Sequence, residues 1–438
     1  MRKIRTVLGP AACVFSLFTS PLYALNLEEA HKLALDSDPE LQAAQAQLQA
    51  ALEAVPQSRA ALLPNINGQL YLSHSRREIN SNDTITNDST GYGLSLAQSV
   101  YNHAYHLQLD QSDLSAAQAA VQYDAVEQTL IIRVSEAYFN VLAARDNLRF
   151  ALAEKESIAR QLEQTQKRFE VGLIAITDVK EAQASYDLAV SREINAENQV
   201  ATSREALQVL IGRYPEQLKQ LAKEIPLASP DPEDIQQWTE TAQAQNLGLK
   251  AARYSVDIAA TQVKTARAGH YPSLDLTARY SVDNDSSFGA TSFDSTSSSV
   301  GLQLNVPIYS GGLTTSQTRQ AAHLHDQAKA NLDRQLRLTT QQTRSAYLTV
   351  VAALSQVNAL KQALISTQTA AEATQAGFEV GTRTAVEVLA SLREQYRAER
   401  DYAQARYDYI LNMLRLKQAA GTLAPEDITR VNQWLAQS

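Results

Sequence analysis

The sequence predicts a mixed α and β membrane protein in which long antiparallel helical hairpins alternate with pairs of amphipathic β-strands. Three observations support this fold class. The stretch from Asn102 to Glu170 contains no Gly or Pro, and as one helix it would be roughly 100 Å long. Short segments of alternating polarity lie between the helical stretches. The whole order of elements then occurs a second time, about 209 residues further on.

Composition narrows the possible partners of the chain. Its 438 residues carry a net charge of −8 and no basic tail, which argues against nucleic acid as a partner. Aromatic residues make up only 6% of the chain. Ala, Gln and Leu dominate instead, as is typical of long packed helices.

The N-terminus has the pattern of a secretory signal peptide. Arg2, Lys3 and Arg5 precede an apolar stretch from Val7 to Phe18, and we predict that residues 1–24 are removed after Ala24. The one cysteine, Cys13, would leave with this segment, so we expect neither disulfides nor a zinc-thiolate site in the mature chain. No later run of 18 apolar residues suggests a membrane-spanning helix.

The first element of each half is predicted to be a helix that ends before a proline. It runs from Leu27 to Leu62, with a break near Asp38-Pro39, and its counterpart runs from about Pro232 to Ala268. The residue before a proline is biased away from helix, which explains both ends.

Two short alternating segments follow in each half, flanking the predicted polar loops 73–90 and 283–299. About ten residues with one apolar face match a membrane-spanning β-strand, although an ordinary surface hairpin has the same pattern. Four strands cannot close a barrel, and an open edge in lipid leaves backbone groups unpaired. Membrane-spanning strands would therefore require association, with two copies giving 8 strands and three giving 12.

A very long helix then leads to a Val-Gly turn and a return helix. The long helices are predicted from Asn102 to Glu170 and from Leu313 to Ala376. The return helices are predicted from Ile174 to Ile211 and from Thr384 to Ala420. The two structural repeats therefore span residues 25–225 and 226–438, the second with a C-terminal tail.

The turn segments carry a resemblance to a known family. Residues 171–179 (VGLIAITDV) and 380–389 (VGTRTAVEVL) resemble the two hairpin-tip motifs of the TolC-like outer-membrane channel-tunnels, the outer membrane efflux proteins of Gram-negative bacteria. The similarity covers nearly the whole mature chain, including Leu-Pro before the first strand and PIYSGG after the fourth.

The resemblance implies a homotrimer whose twelve strands form one β-barrel in outer-membrane lipid, above an α-barrel of helices in the periplasm. It implies no enzyme activity and no cofactor. It implies a passive exit duct for multidrug efflux and type I protein secretion. Such a duct opens at its periplasmic end when it engages a periplasmic adaptor and an inner-membrane efflux pump or ABC exporter.

The resemblance also places a gate at the periplasmic end. Matching residues are Thr177, Asp178, Phe378, Arg383 and Glu387. We expect Arg383 to bind Thr177 and Asp178, because its planar fork of donors suits a carboxylate. Simpler structural roles compete: Asp178 suits a helix N-terminus, Arg383 suits a solvated turn, and Thr384 with Glu387 forms a capping-box pattern.

Two residues depart from the family pattern at the gate. Phe378 stands where a tyrosine hydroxyl usually joins the closing network. Ala390 stands where a second aspartate usually adds to the acidic ring, which leaves Glu387 alone there. We therefore expect a more weakly latched gate and a reduced cation filter.

The resemblance assigns adaptor docking to the exposed tips, formed by Val171, Gly172, Leu173, Val380, Gly381 and Thr382. The simpler role is a helix C-cap that needs glycine for its backbone, and we expect both roles. A periplasmic coiled-coil adaptor or scaffold is the alternative function, but it leaves the four strands unexplained. A hydrolytic enzyme of the envelope is a third possibility, and no catalytic cluster supports it.

Overall fold

The computed structural model describes residues 24–80, 83–287 and 293–436. The predicted signal peptide lies outside these ranges except for Ala24, and so does Cys13. Within them the predicted order of elements is present twice: a broken helix, two strands, a very long helix and a return helix. The boundary that we place between residues 225 and 226 stays a prediction.

The first half begins with α1 (Leu27–Ser37) and α2 (Pro39–Ala60), which meet at Asp38 as predicted. The Asp38 carboxylate accepts the backbone N–H of Leu41 at 3.0 Å and so caps α2. Pro39 takes the first helical position, where no N–H is needed. α3 (His103–Glu170) then runs unbroken over 68 residues, and α4 (Ile176–Ile211) returns beside it.

The second half contains α5 (Ile235–Gln245), α6 (Leu247–Ala268), α7 (Leu313–Glu379), α8 (Ala385–Ala420) and the short α9 (Pro425–Asn432). The prediction of one unbroken helix from about Pro232 to Ala268 is wrong, because Asn246 separates α5 from α6. The Asn246 side chain accepts the N–H of Leu249 and donates to the carbonyl of Ala419, both at 3.0 Å.

The four strands form one antiparallel sheet in chain order: β1 (Asn65–Asn80), β2 (Asp83–Tyr101), β3 (Ser273–Ser287) and β4 (Phe293–Asn305). The predicted hairpins are both present, and β2 pairs with β3 to join them. β1 and β4 therefore each keep one free edge in the single chain.

The polar segments 73–90 and 283–299 are not loops over most of their length, so that prediction is wrong. The strands continue through them, for example with Ser73 opposite Ser89. Backbone ladder bonds do not depend on side-chain polarity, and polar cross-strand pairs add to them. Ser281 and Ser297 share a hydrogen bond of 2.9 Å between their hydroxyls.

The register brings the apolar side chains of all four strands onto one face of the sheet. Ile66 lies opposite Leu96, and Leu276 lies opposite Leu302. The other face is polar, and there Tyr71 donates to the Asp283 carboxylate at 2.6 Å. A Cβ on Gly91 would lie 2.7 Å from the Tyr71 ring, so only glycine lets Tyr71 cross β2 to reach β3.

The helices are ordered α2, α3, α6, α7 near the sheet and α4, α3, α8, α7 near the Val-Gly turns. One side of the chain is therefore formed by α2 and α4, and the opposite side by α7. Large apolar side chains are exposed on both sides: Leu188, Ile194 and Val209 on α4, and Leu324, Leu348 and Ile365 on α7.

We predict no membrane-crossing helix from the sequence, yet α7 is long and apolar enough to cross a membrane by length and composition alone. Only 17% of its most apolar window is buried within the single chain. One such helix in the described part of the chain is weak evidence for a membrane span.

The largest core lies halfway along α3, where α1, α9 and the ends of α4 and α8 pack around it. Tyr138 is fully buried there, and its hydroxyl donates to the carbonyls of Leu25 and Lys219 at 3.0 and 2.9 Å. Burial raises the pKa of Tyr138 far above its usual value, so it stays a neutral donor. Towards the Val-Gly turns the buried apolar clusters are small. The lower hairpins are therefore the less stable part of the chain.

We predict that Tyr138→Phe lowers the free energy of unfolding by about 1–3 kcal/mol, because the Lys219 carbonyl loses its donor, while the Leu25 carbonyl keeps only the N–H of Lys219. Thermal denaturation followed by circular dichroism measures this. Tyr402→Phe is the matched control, since among the described residues the Tyr402 hydroxyl has no hydrogen bond and its ring contacts the Arg406 guanidinium. Equal melting temperatures for the two variants would contradict the prediction.

Candidate functional site

The first tip is the turn between α3 and α4. Gly172 has φ of 76°, a left-handed conformation that favours glycine. The Leu173 N–H donates to the Arg168 carbonyl at 2.9 Å, as in a Schellman C-cap. A Cβ on Gly172 would meet no atom within 4 Å. Glycine is therefore needed here for its backbone conformation and not for space.

The second tip, between α7 and α8, repeats this turn. Gly381 has φ of 81°, and the N–H of Thr382 donates to the Gly377 carbonyl at 2.8 Å. The Thr382 hydroxyl reaches the same carbonyl at 3.0 Å, which holds the turn more firmly than in the first tip.

Both tips present apolar side chains to solvent. Val171 is 70% exposed, Leu173 72% and Val380 76%. Gly172, Gly381 and Thr382 are exposed beside them. All six predicted docking residues therefore lie at one end of the molecule, on a surface that the single chain does not cover.

Glu387 completes the predicted capping box at the start of α8. Its carboxylate accepts the Thr384 N–H at 2.8 Å, while its own N–H donates to the Thr384 hydroxyl at 3.3 Å. Arg383 donates to the same carboxylate at 2.7 Å. The bond from the Thr384 backbone, followed by that from Arg383, lowers the pKa of Glu387 below its usual value.

The direction of this pKa change determines the pH range in which the contacts of Glu387 stabilise the turn. A carboxyl whose pKa is lower in the folded chain contributes stability above the ordinary pKa of glutamate. That contribution is lost as the pH falls through the lowered value. Glu387 is therefore ionised near neutral pH and adds a negative charge to the second tip.

The predicted latch between the tips is not formed within one chain. Arg383 is exposed and pairs with Glu387, and among the described residues no hydrogen bond joins it to Thr177 or Asp178. Thr177 is exposed, and Asp178 is half-buried in the first turn of α4. The contact of Arg383 with these two residues stays a prediction.

Phe378 lies inside the second hairpin instead of lining a free surface. It is 2% exposed and packs with Ala385 and Val388. The guanidinium of Arg168 stacks on its ring, 4.1 Å from the centroid. Arg168 also donates to the carbonyls of Phe378 at 2.9 Å and Glu379 at 3.4 Å.

Arg168 is a site residue that sequence reasoning missed. It lies at the end of α3 yet binds the end of α7, where a cation is favoured by the helix dipole. This contact joins the two hairpins without a hydroxyl at position 378, and the expectation of a more weakly latched gate stays a prediction. The available signal was Lys167-Arg168 in the last turn of α3, which by itself indicates only capping of α3.

The described residues bring no three His, Cys, Asp or Glu side chains together as a metal site. The tips therefore combine backbone turns, exposed apolar side chains and a few ion pairs. Such an arrangement can bind another helical surface and can separate from it.

Comparisons with known proteins agree with this arrangement. The family model of outer membrane efflux proteins matches residues 30–213 and 238–422. The outer membrane protein TolC of Vibrio cholerae is 41% identical over 99% of both chains. The alkaline protease secretion protein AprF of Pseudomonas aeruginosa is 30% identical over 98% of this chain and 91% of its own.

A solved structure shows the same fold at low identity. The CmeC outer membrane channel of Campylobacter jejuni matches with a TM-score of 0.79 and 18% identity, covering 94% of this chain and 90% of that one.

We predict that Arg168→Gln frees the lower end of α7 and exposes Phe378. The loss of a stacked, doubly hydrogen-bonded guanidinium should cost about 1–3 kcal/mol locally. Limited chymotrypsin digestion should then cut after Phe378 faster than in the wild type. Lys167→Gln removes the neighbouring charge, which pairs with Glu163 on the same helix, and should leave the rate unchanged. Equal rates in both variants would rule out the contact.

Proposed function

Because the chain belongs to the outer membrane efflux protein family, it is an outer-membrane exit duct for efflux and type I secretion, and we propose that three copies close into one tunnel. The observation that carries this proposal is the four-stranded sheet, which has one apolar face, one polar face and two free edges. In lipid, free edges must be paired.

The two sides of the chain are different surfaces, so copies join head to tail. β1, α2 and α4 form one side, while β4 and α7 form the other. A contact between unlike surfaces closes into a ring when the rotation allows. With three copies, β4 of each pairs with β1 of the next, and the barrel has twelve strands.

The apolar exposure of α7 fits this ring. In the trimer, α7 packs against α2 and α4 of the neighbouring copy, where Leu188, Ile194 and Val209 are exposed. The apolar window of α7 is then an interface between helices, and no membrane crossing is needed to explain it.

The polar face of the sheet lines the duct. Gln69, Arg279 and Gln303 lie on that face, opposite the lipid-facing apolar side chains. A polar lumen and an apolar exterior are typical of water-filled membrane β-barrels. The adaptor-or-scaffold alternative provides no role for such a sheet.

The lower end of the tunnel is the gate. Arg383 uses one nitrogen for Glu387, and its remaining donors are available for Thr177 and Asp178 in the closed assembly. Three copies of Glu387 near the axis favour cations at the entrance. The gate opens when the exposed tips engage a periplasmic adaptor joined to an inner-membrane pump or ABC exporter.

The duct is tested in a deletion strain of the host. We expect the deletion strain to become sensitive to drugs and bile salts and to lose a secreted protein. The wild-type gene should restore both resistance and secretion. Leu173→Asp should form SDS-resistant trimers without restoring either phenotype, because a charge is placed in the apolar tip. Leu152→Asp, which changes an exposed leucine of α3, is the control and should restore both.

A deletion without any effect on resistance or secretion would contradict the exit duct. Full restoration by Leu173→Asp would contradict docking through the tips and leave the duct itself intact.

For the gate, we predict that Arg383→Ser raises single-channel conductance in planar bilayers, since the tie to the first tip is lost. Glu387→Gln breaks the pair between Arg383 and the first turn of α8 but keeps Arg383, so it should leave conductance low. Arg397→Ser, which removes an exposed arginine of α8, is the charge control. Equal conductance in Arg383→Ser and the wild type would count against the latch.

A further inference from the structure

We propose that Glu154 holds the two hairpins of one chain together through a shared ion pair, and that it keeps a single arginine when they separate. The inference rests on the proposed gate, which needs the second hairpin to move relative to the first. It concerns a site well above the tips, since Glu154 lies 16 residues before Glu170 on α3, or roughly 24 Å along the helix.

Glu154 is a buried carboxylate with two cationic partners. It is 2% exposed, and each of its oxygens binds a different arginine. Arg192 of α4 lies 2.9 Å from Oε1, and Arg400 of α8 lies 3.4 Å from Oε2. Arg192 belongs to the same hairpin as Glu154, while Arg400 belongs to the other.

This division of partners matters because a buried charge left unpaired is strongly destabilising. When α8 moves away, Arg400 leaves with it, but Arg192 stays on the carboxylate. Glu154 is then still compensated, so the hairpins can separate without leaving a bare buried charge. The longer of the two contacts is the one that breaks.

The seam between α3 and α8 is apolar above Glu154, where Tyr407 and Leu411 belong to the large core, but on the tip side of Glu154 the described contacts between the two helices are few. Ser157 and Tyr396 share a hydrogen bond of 2.7 Å between their hydroxyls. Leu389 of α8 packs beside Ile158 and Leu162 of α3 in a small buried cluster. With so little apolar area in this lower part of the seam, the loss of one charged contact changes the equilibrium between closed and open states by a large fraction.

The arrangement predicts different effects on the contact between the hairpins for three single variants. Arg400→Gln removes only the tie between hairpins and leaves the Glu154–Arg192 pair. Arg192→Gln leaves Arg400 as the one partner of the carboxylate and strengthens the tie. Glu154→Gln leaves two arginines facing each other across the seam and pushes the hairpins apart.

The experiment measures single-channel conductance of the purified full-length chain in planar bilayers. A lost tie of ordinary coupling strength shifts the closed-to-open equilibrium about tenfold. Arg400→Gln should therefore raise the conductance, Glu154→Gln should raise it at least as much, and Arg192→Gln should leave it at or below the wild-type level. Glu156→Gln, which breaks an exposed pair with Arg160 on the same helix, should match the wild type.

Heat-modifiable migration of the trimer checks the assembly of each variant. If Glu154→Gln does not assemble, Arg400→Gln and Arg192→Gln decide the matter, because each keeps the carboxylate paired. Equal conductance in these two variants would overturn the inference. A wild-type chain that forms no channel would instead refute the proposed function, so the two failures are distinguishable.

Discussion

The constraint on which the rest of the structure depends is that backbone N–H and C=O groups in lipid must be hydrogen-bonded. A single chain satisfies this inside its four-stranded sheet but not at β1 and β4, whose outer edges are free. The same incompleteness continues below the sheet, where α7 on one side and α2 with α4 on the other expose apolar side chains. Both sides of the single chain are therefore incomplete in the way that the proposed ring of three copies requires.

Stability is distributed unevenly along the helices. The core around Tyr138 and Phe139 contains residues of α1, α3, α8 and α9 at mid-height, and the buried Tyr138 hydroxyl binds the flanking segments there. Towards the tips the buried clusters shrink to a few residues. A duct that must open at one end benefits from this gradient, because local motion at the tips does not require the middle to unfold.

Where the buried apolar clusters are small, charged contacts join the two hairpins. Glu154 between two arginines and Arg168 on Phe378 both join the first hairpin to the second. Such contacts are directional and depend on geometry, so a small displacement breaks them, whereas apolar packing of the same hairpins would yield gradually. Phe378 is accommodated by this chemistry, since its ring provides the face on which the Arg168 guanidinium stacks.

Elements whose signals are local could be predicted from the sequence. The period of two in the strands, the unbroken stretch of α3, the cap at Asp38, the turn at Gly172 and the capping box of Glu387 all follow from residues close together in the chain. Other features depend on contacts between distant parts of the chain. The polar ends of the strands carry no apolar alternation, the break at Asn246 depends on Ala419, and Arg168 and Arg400 bind residues more than 200 positions away. Those contacts exist only once the two repeats lie side by side, because no local pattern records which helices will be neighbours.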